Sequence, residues 1–211
     1  LAASNGIRVV LNGQGADETI GGYSSYFQDY WVSLLRQGRV REAWQAVTAY
    51  TEAHGGNSRQ RLAAAAARCL SWEMYQFNAY RSWARARRQA RLRQNPWFSE
   101  DLTKHFINED VPPASTTLSN SLKQSVVSAP LPLYLRIEDR NSMAHSVEAR
   151  LPFLDYRLVS FVSGLSDDWK IRGPWNKYVL REGMRGRIPE SVRSRVDKMG
   201  FPTASKKWFA H

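Results

Sequence analysis

The sequence predicts a predominantly α-helical body hung on one short strand of parallel type near residues 7–11, and three observations predict it. Ile7, Val9, Val10 and Leu11 form an apolar, largely β-branched run between polar turns, which reads as a short buried strand. From Tyr23 onward, apolar residues recur three and four apart, the spacing of a helix face. The 211 residues are 43% hydrophobic with eight tryptophans, enough for one sizeable core or two small ones and too apolar for a disordered chain.

After the strand comes the loop LNGQGADETIGGY at 11–23. Tyr23, Tyr26, Phe27, Tyr30, Trp31, Leu34 and Leu35 then predict a helix, and Gly38 separates it from a second one carrying Ala43, Trp44, Val47 and Tyr50, ending near His54. HGGN at 54–57 is a turn. A long helical segment follows from Arg59 to about Arg93, whose aromatics Trp72, Tyr75, Phe77, Tyr80 and Trp83 imply packing against other helices. Tandem prolines make 108–119 a loop. Helical periodicity resumes from Leu118 to Met143 with a break near APLP at 129–132. Pro152 is expected to stop a helix and Asp155 to begin the next, before Leu158, Val159 and Phe161.

Thirty basic against nineteen acidic residues give a formal charge of +11, which favours an anionic partner. RSWARARRQARLR at 81–93 holds six arginines and raises a nucleic-acid-binding module as a rival reading. Arg81, Arg85 and Arg88 share one helix face while Arg87 and Arg91 lie on another, so a solvated helix end is the better reading. The single cysteine, Cys69, excludes an internal disulfide and a cysteine-rich metal site. No apolar stretch approaches the roughly 20 residues of a membrane span. The chain opens LAASNGIRVV without methionine, charged leader or apolar signal region, so it is expected to be the tail of a longer, cytoplasmic polypeptide. His54, His105, His145 and His211 have no metal-ligand spacing, and neither H-E-x-x-H nor G-x-S-x-G occurs.

Three stretches could carry chemistry. In Gly13-Gln14-Gly15-Ala16-Asp17-Glu18 the glycines let the backbone approach an anion, and Asp17 and Glu18 offer hard oxygens for Mg²⁺ between phosphates. The loop is neither a dinucleotide fingerprint nor a Walker A, and it carries no lysine. In LYLRIEDRNSMAHSVEARLPFLDYRLVSF at 133–161, Asp139, Arg140, Glu148, Arg150 and Asp155 alternate with apolar positions, as in a partly buried ion-pair network between helices. Its main role is architectural, with Asp139 and Arg140 as weaker candidates for lining a site. In GPWNKYVLREG at 173–183, Lys177 falls in the first turn of a helix whose Tyr178, Leu180 and Met184 would face inward. The helix dipole disfavours a cation there unless an anion, such as a phosphate-bearing ligand, neutralises it.

Together, VVLNGQGADETIGGY, LPLYLRIEDRNSMAHSVEARLPFLDYRLV and NKYVLREGMRGRIPESVRSRVDKMGF, in that order, closely resemble the C-terminal synthetase domain of the glutamine-dependent asparagine synthetases. The resemblance implies an α/β fold of the adenine-nucleotide α-hydrolase type, with residues 1–211 as the C-terminal part of one ATP-dependent synthetase domain. It implies Mg-ATP, a substrate carboxylate adenylated with release of pyrophosphate, and ammonia delivered from a separate N-terminal glutaminase domain. By the same resemblance Asn12, Gly13, Gln14, Gly15, Asp17 and Glu18 would meet the nucleotide. Asp17 would hold Mg²⁺, Lys177 would neutralise charge on the transferring phosphate, and the full-length protein could form a homodimer.

The family's serine-glycine-glycine-x-aspartate-serine pyrophosphate loop and nucleophilic N-terminal cysteine do not occur here, so this chain alone is expected to be inactive. Two positions depart from the pattern. Gln14 stands where the family often has glutamate, and an amide cannot accept a proton; Asn12 replaces the usual serine. Gln14 opens the choice between aspartate and another carboxylate, as in related amide-forming ligases of natural-product or cell-envelope biosynthesis. A degenerate, non-catalytic scaffold is the third alternative.

Overall fold

The computed structural model describes residues 1–94 and 117–197. After a one-turn 3-10 helix at Ala3–Asn5, strand β1 (Val9–Leu11) runs into α1 (Ala16–Ile20). Four longer helices follow: α2 (Ser25–Arg36), α3 (Val40–His54), α4 (Ser58–Met74) and α5 (Asn78–Arg93). Beyond residue 116 come α6 (Leu118–Val127), α7 (Leu131–Met143), β2 (Glu148–Arg150), a 3-10 turn (Pro152–Leu154), and short helices α8 (Tyr156–Gly164), α9 (Asp167–Lys170), α10 (Tyr178–Gly183) and α11 (Glu190–Arg193). The fold is thus mostly helical with a two-stranded parallel sheet.

The core lies among α2, α3, α4 and α6. On α2 the helical spacing buries Tyr26, Phe27, Tyr30, Trp31 and Leu34; α3 adds Ala43, Val47 and Tyr50, and α6 adds Leu118 and Leu122. Gly38, at φ +74°, makes the left-handed turn that folds α3 back onto α2. Polar residues tie distant segments to this core. Ser33 Oγ accepts from the Leu118 amide at 2.9 Å, Tyr26 donates to Ser125 Oγ at 2.7 Å, and Tyr30 donates to Asp168 at 2.6 Å. Asp29 pairs with Arg68 across α2 and α4 at 2.6 Å.

Several sequence expectations need correction. The long segment from Arg59 is two helices, parted at Tyr75–Phe77 where Phe77 is extended. Its aromatics do not enter the core: Phe77 and Trp83 are exposed, and α5 buries no residue. They engage cations and one another instead, with Arg36 over Trp72, Arg87 over Trp83, and Tyr80 beside Trp83. Trp44 is exposed although Ala43 and Val47 beside it on α3 are buried. The strand falls where expected but is not buried, since Ile7, Val9 and Leu11 are all exposed. In this sheet of two three-residue strands only Val10 and Ala149 are half-buried, and the helix Leu131–Met143 packs against β2. Pro152 follows β2 rather than stopping a helix. The charged stretch forms local pairs, Glu148 with Arg150 and Asp155 with Arg157, not a buried network between helices. Asp155 does cap α8, accepting from the Arg157 amide at 2.9 Å. Residues 108–116 of the expected 108–119 loop, with His105 and His211, lie outside the described residues.

Candidate active site

The parallel register pairs Val9 with Glu148, Val10 with Ala149 and Leu11 with Arg150. The Asn12 amide prolongs the ladder by donating to the Arg150 carbonyl at 2.9 Å, and the Asn12 side-chain oxygen accepts from the Gln14 amide at 3.2 Å. That Asx turn swings the chain out of the strand. Gly13 has open space where a Cβ would stand, so a ligand can approach its backbone closely. Gly15, at φ +91°, starts α1, and a Cβ there would lie 2.3 Å from Leu154. Only glycine suits that position.

Helix α1 places its two acids in different surroundings. Asp17 Oδ1 lies 2.7 Å from Lys177 Nζ, each side chain about a quarter exposed at 27%. The carboxylate supplies the anion that a lysine at the start of α10 requires. Glu18 is buried at 1% exposure and accepts a 2.5 Å hydrogen bond from the Tyr23 hydroxyl. Burial first, then Glu18 itself, pushes the Tyr23 phenol well above its ordinary pKa, so it stays protonated and donating.

Lys177 precedes α10 with φ +51°, a left-handed conformation that is uncommon outside glycine. Its neighbours hold it there. Asn176 Nδ2 donates to the Gly22 carbonyl at 2.6 Å, and Arg181 donates to both the Asn176 backbone carbonyl and its side-chain oxygen at 2.8 and 3.1 Å. Gly22 completes the cradle: a Cβ there would lie 1.7 Å from Asp17 Oδ1 and 2.3 Å from Lys177 Cε.

A shallow cleft of about 480 Å³ adjoins the loop, lined by Gln14 and by Tyr134, Ile137, Glu138, Asn141 and Ser142 of α7. Asp139 and Arg140 are exposed and do not line it. One or two residues on a helix is enough to turn a side chain away, and it is Glu138 and Asn141 that share the cleft face.

The structure therefore brings Asn12, Gly13, Gln14, Gly15, Asp17 and Lys177 into one region, withdraws Glu18 into the interior, and leaves Asp139 and Arg140 outside. Sequence reasoning missed Gly22, Asn176, Arg181 and Glu138; the only local signals were the Gly-Gly pair before Tyr23 and the Asn before Lys177. Among the described residues no three His, Cys, Asp or Glu side chains gather as a metal cage. A divalent ion at Asp17 would draw its other ligands from phosphate and water, which suits Mg²⁺. No helix among the described residues is long and apolar enough to cross a membrane.

A parallel strand opens through a glycine turn into a helix, with a lysine brought against the acid in its first turn, at the carboxyl end of the strands, the end at which open α/β sheets hold their ligands. The chain belongs to the asparagine synthase family, whose model matches residues 1–211. It is 28% identical over 213 residues to asparagine synthetase (glutamine-hydrolysing) 1 of Bacillus subtilis, covering 98% of this chain and 32% of that protein. It is 29% identical over 217 residues to a putative asparagine synthetase (glutamine-hydrolysing) of Mycobacterium tuberculosis, covering 96% and 30%. The chain thus spans about a third of the length of the curated relatives it matches. A shorter match, 40% over 58 residues, is to asparagine synthetase 2 of Bacillus subtilis, covering 28% of this chain and 8% of that protein. No solved structure matches.

Proposed function

We propose that the protein is an ATP-dependent asparagine synthetase of the glutamine-hydrolysing type, and that this chain is the C-terminal part of its synthetase domain. In this reading the side-chain carboxylate of aspartate attacks the α-phosphorus of ATP, giving an acyl-adenylate and pyrophosphate. Ammonia from glutamine, released in a separate N-terminal domain, then attacks the acyl carbon to form the amide and free AMP. The full domain has the adenine-nucleotide α-hydrolase fold, with β1 and β2 as part of its parallel sheet, and works in the cytoplasm.

The observation that carries the reading is the 2.7 Å contact between Lys177 and Asp17 beside the glycine turn. Negative charge builds on the departing pyrophosphate, and a cation fixed in advance at that place stabilises the transition state more than the ground state. Asn12, Gly13 and Gly15 let the backbone approach the nucleotide. Mg²⁺, held by Asp17 and phosphate oxygens, would supply further charge neutralisation on the pyrophosphate. Gln14 orients the acyl group by hydrogen bonding. Glu138, in the same cleft as Gln14, is the carboxylate available to take a proton from the incoming amine.

Gln14 favours one variant of this reading: the same adenylation with a carboxylate other than aspartate. The test is pyrophosphate release by the full-length protein with Mg-ATP, aspartate and ammonium, with Lys177→Ala as control. Aspartate-dependent release that yields asparagine and falls by about 10²–10³ in the variant supports the proposal. No release with aspartate from folded, ATP-binding protein removes aspartate as substrate and turns the assay to other carboxylates. Release unchanged in Lys177→Ala refutes the assigned site.

A further inference from the structure

Helix α1 also borders a second cavity, of about 400 Å³, separate from the Gln14 cleft and from the Asp17–Lys177 pair. Its lining includes Glu18 and Thr19 of α1, Leu122 and Val126 of α6, Val159 of α8 and Lys170 of α9. A volume of this size is at the small end of ligand-binding pockets, about 300–1,000 Å³.

Three charged residues line it, the exposed Lys123 and two of opposite sign that are nearly withdrawn from water: Glu18 is 1% exposed and Lys170 2%. The Lys170 ammonium donates to the Leu165 carbonyl at 2.9 Å, which uses one of its three donors. Burial works against its charged form, and nearby Asp167 only partly offsets that. Glu18 accepts from Tyr23, a neutral donor. A buried charge is costly until a countercharge meets it, so each side chain stands to gain from an oppositely charged ligand group. Branched apolar side chains form much of the remaining wall.

We propose that this cavity binds a free α-amino acid with a branched apolar side chain. The ligand's carboxylate meets Lys170, its ammonium meets Glu18, and its side chain packs on Leu122, Val126 and Val159. Other ligand classes fit less well. A simple carboxylate brings like charge to Glu18, a simple amine brings like charge to Lys170, and a neutral apolar molecule leaves both unmet. The inference concerns a site outside the catalytic reading, and ATP binding measured on the same samples separates failure of one from failure of the other.

Calorimetric titration of the full-length protein with leucine, leucine amide and N-acetyl-leucine tests it. Saturable binding of leucine is expected, with the amide and the N-acetyl derivative each weaker by about tenfold or more, because each lacks one charge. Lys170→Met and Glu18→Gln should weaken leucine to a similar degree. Both change a buried charge, so Val159→Trp is the decisive variant: it fills the cavity from a half-buried wall, alters no charge, and should abolish binding in a protein whose far-ultraviolet dichroism and ATP binding are unchanged. Absence of saturable binding by leucine, isoleucine and valine up to about 10 mM, equal affinity for the amide, or undiminished binding in Val159→Trp each overturns the proposal.

Discussion

Replacing Gly22 by alanine tests whether the Asp17–Lys177 contact is working geometry or surface decoration. The added methyl would lie 1.7 Å from Asp17 Oδ1 and 2.3 Å from Lys177 Cε. Ordinary contact begins near 3.4 Å, so the oxygen must retreat by about 1.7 Å (3.4 − 1.7) and the lysine carbon by about 1.1 Å (3.4 − 2.3). Displacements of that size exceed the tolerance of a 2.7 Å hydrogen bond. The partly exposed ion pair itself contributes less than about 1 kcal/mol, and the overpacking costs about 1–3 kcal/mol. Displacing a preorganised cation, in contrast, lowers the chemical step by about 10²–10³. Urea unfolding followed by tryptophan fluorescence reads the first effect, and pyrophosphate release with Mg-ATP and aspartate reads the second. Gly183→Ala is the control: its Cβ meets open space, its φ is not positive, and alanine in helix α10 should raise stability by up to about 1 kcal/mol with activity unchanged. Gly22→Ala with release within threefold of the parent and an unchanged urea midpoint would refute the reasoning.

Gly15→Ala combines a φ of +91° with a 2.3 Å overlap on Leu154, and should cost about 2–4 kcal/mol in urea unfolding. Arg68→Ala leaves Asp29, whose side chain is 7% exposed, without its countercharge, and should cost about 3 kcal/mol at neutral pH, recovered in part by adding Asp29→Asn. Burial holds the Asp29 carboxyl above its ordinary range, opposed by Ser121 and Arg68. A raised folded pKa means its contribution is complete below the unfolded value, near about 3.9, and is lost as pH rises through the folded value. Asp29→Asn should therefore gain stability relative to the parent as pH climbs from about 4 toward neutrality, and a difference that shrinks over that interval contradicts the assignment. Exchanging Arg85, Arg88 and Arg91 of the exposed helix α5 for glutamine should leave unfolding within about 0.5 kcal/mol and pyrophosphate release intact; loss of release would restore the nucleic-acid-like stripe to a functional role.

What could be read from the sequence was what depends on local spacing. Phe27, Trp31 and Leu34 on α2, and Ala43, Val47 and Tyr50 on α3, declare their buried faces because helix geometry alone lines them up. The break at Tyr75–Phe77 was not legible, since alanine and arginine on either side favour helix equally and no glycine or proline marks it. Nor was the exposure of Phe77 and Trp83: aromatic content says that a side chain can be buried, not that a neighbour arrives to bury it. Strand β2 was missed for a related reason. Glu-Ala-Arg has little strand preference, and only its pairing with Val9–Leu11 makes it one.

The candidate site repeats this division. Asp17 and Lys177 were each legible as candidates, one as an acid after a glycine turn and the other as a lysine at a helix start, but their pairing was not, because the contact joining them bridges most of the chain and leaves no local trace. Their supports are quieter still. Asn176 and Arg181 act through backbone carbonyls, which any sequence possesses, so nothing in their identity announces the role. Asp139 and Arg140 drew attention as charges in a specific motif, whereas Glu138 and Asn141 reach the Gln14 cleft because α7 presents them there. A motif names a neighbourhood; the rotation of one helix decides which of its residues face the chemistry. That is why Glu138, rather than the more conspicuous Asp139, is the carboxylate to replace first when asking how a site with glutamine at position 14 moves a proton.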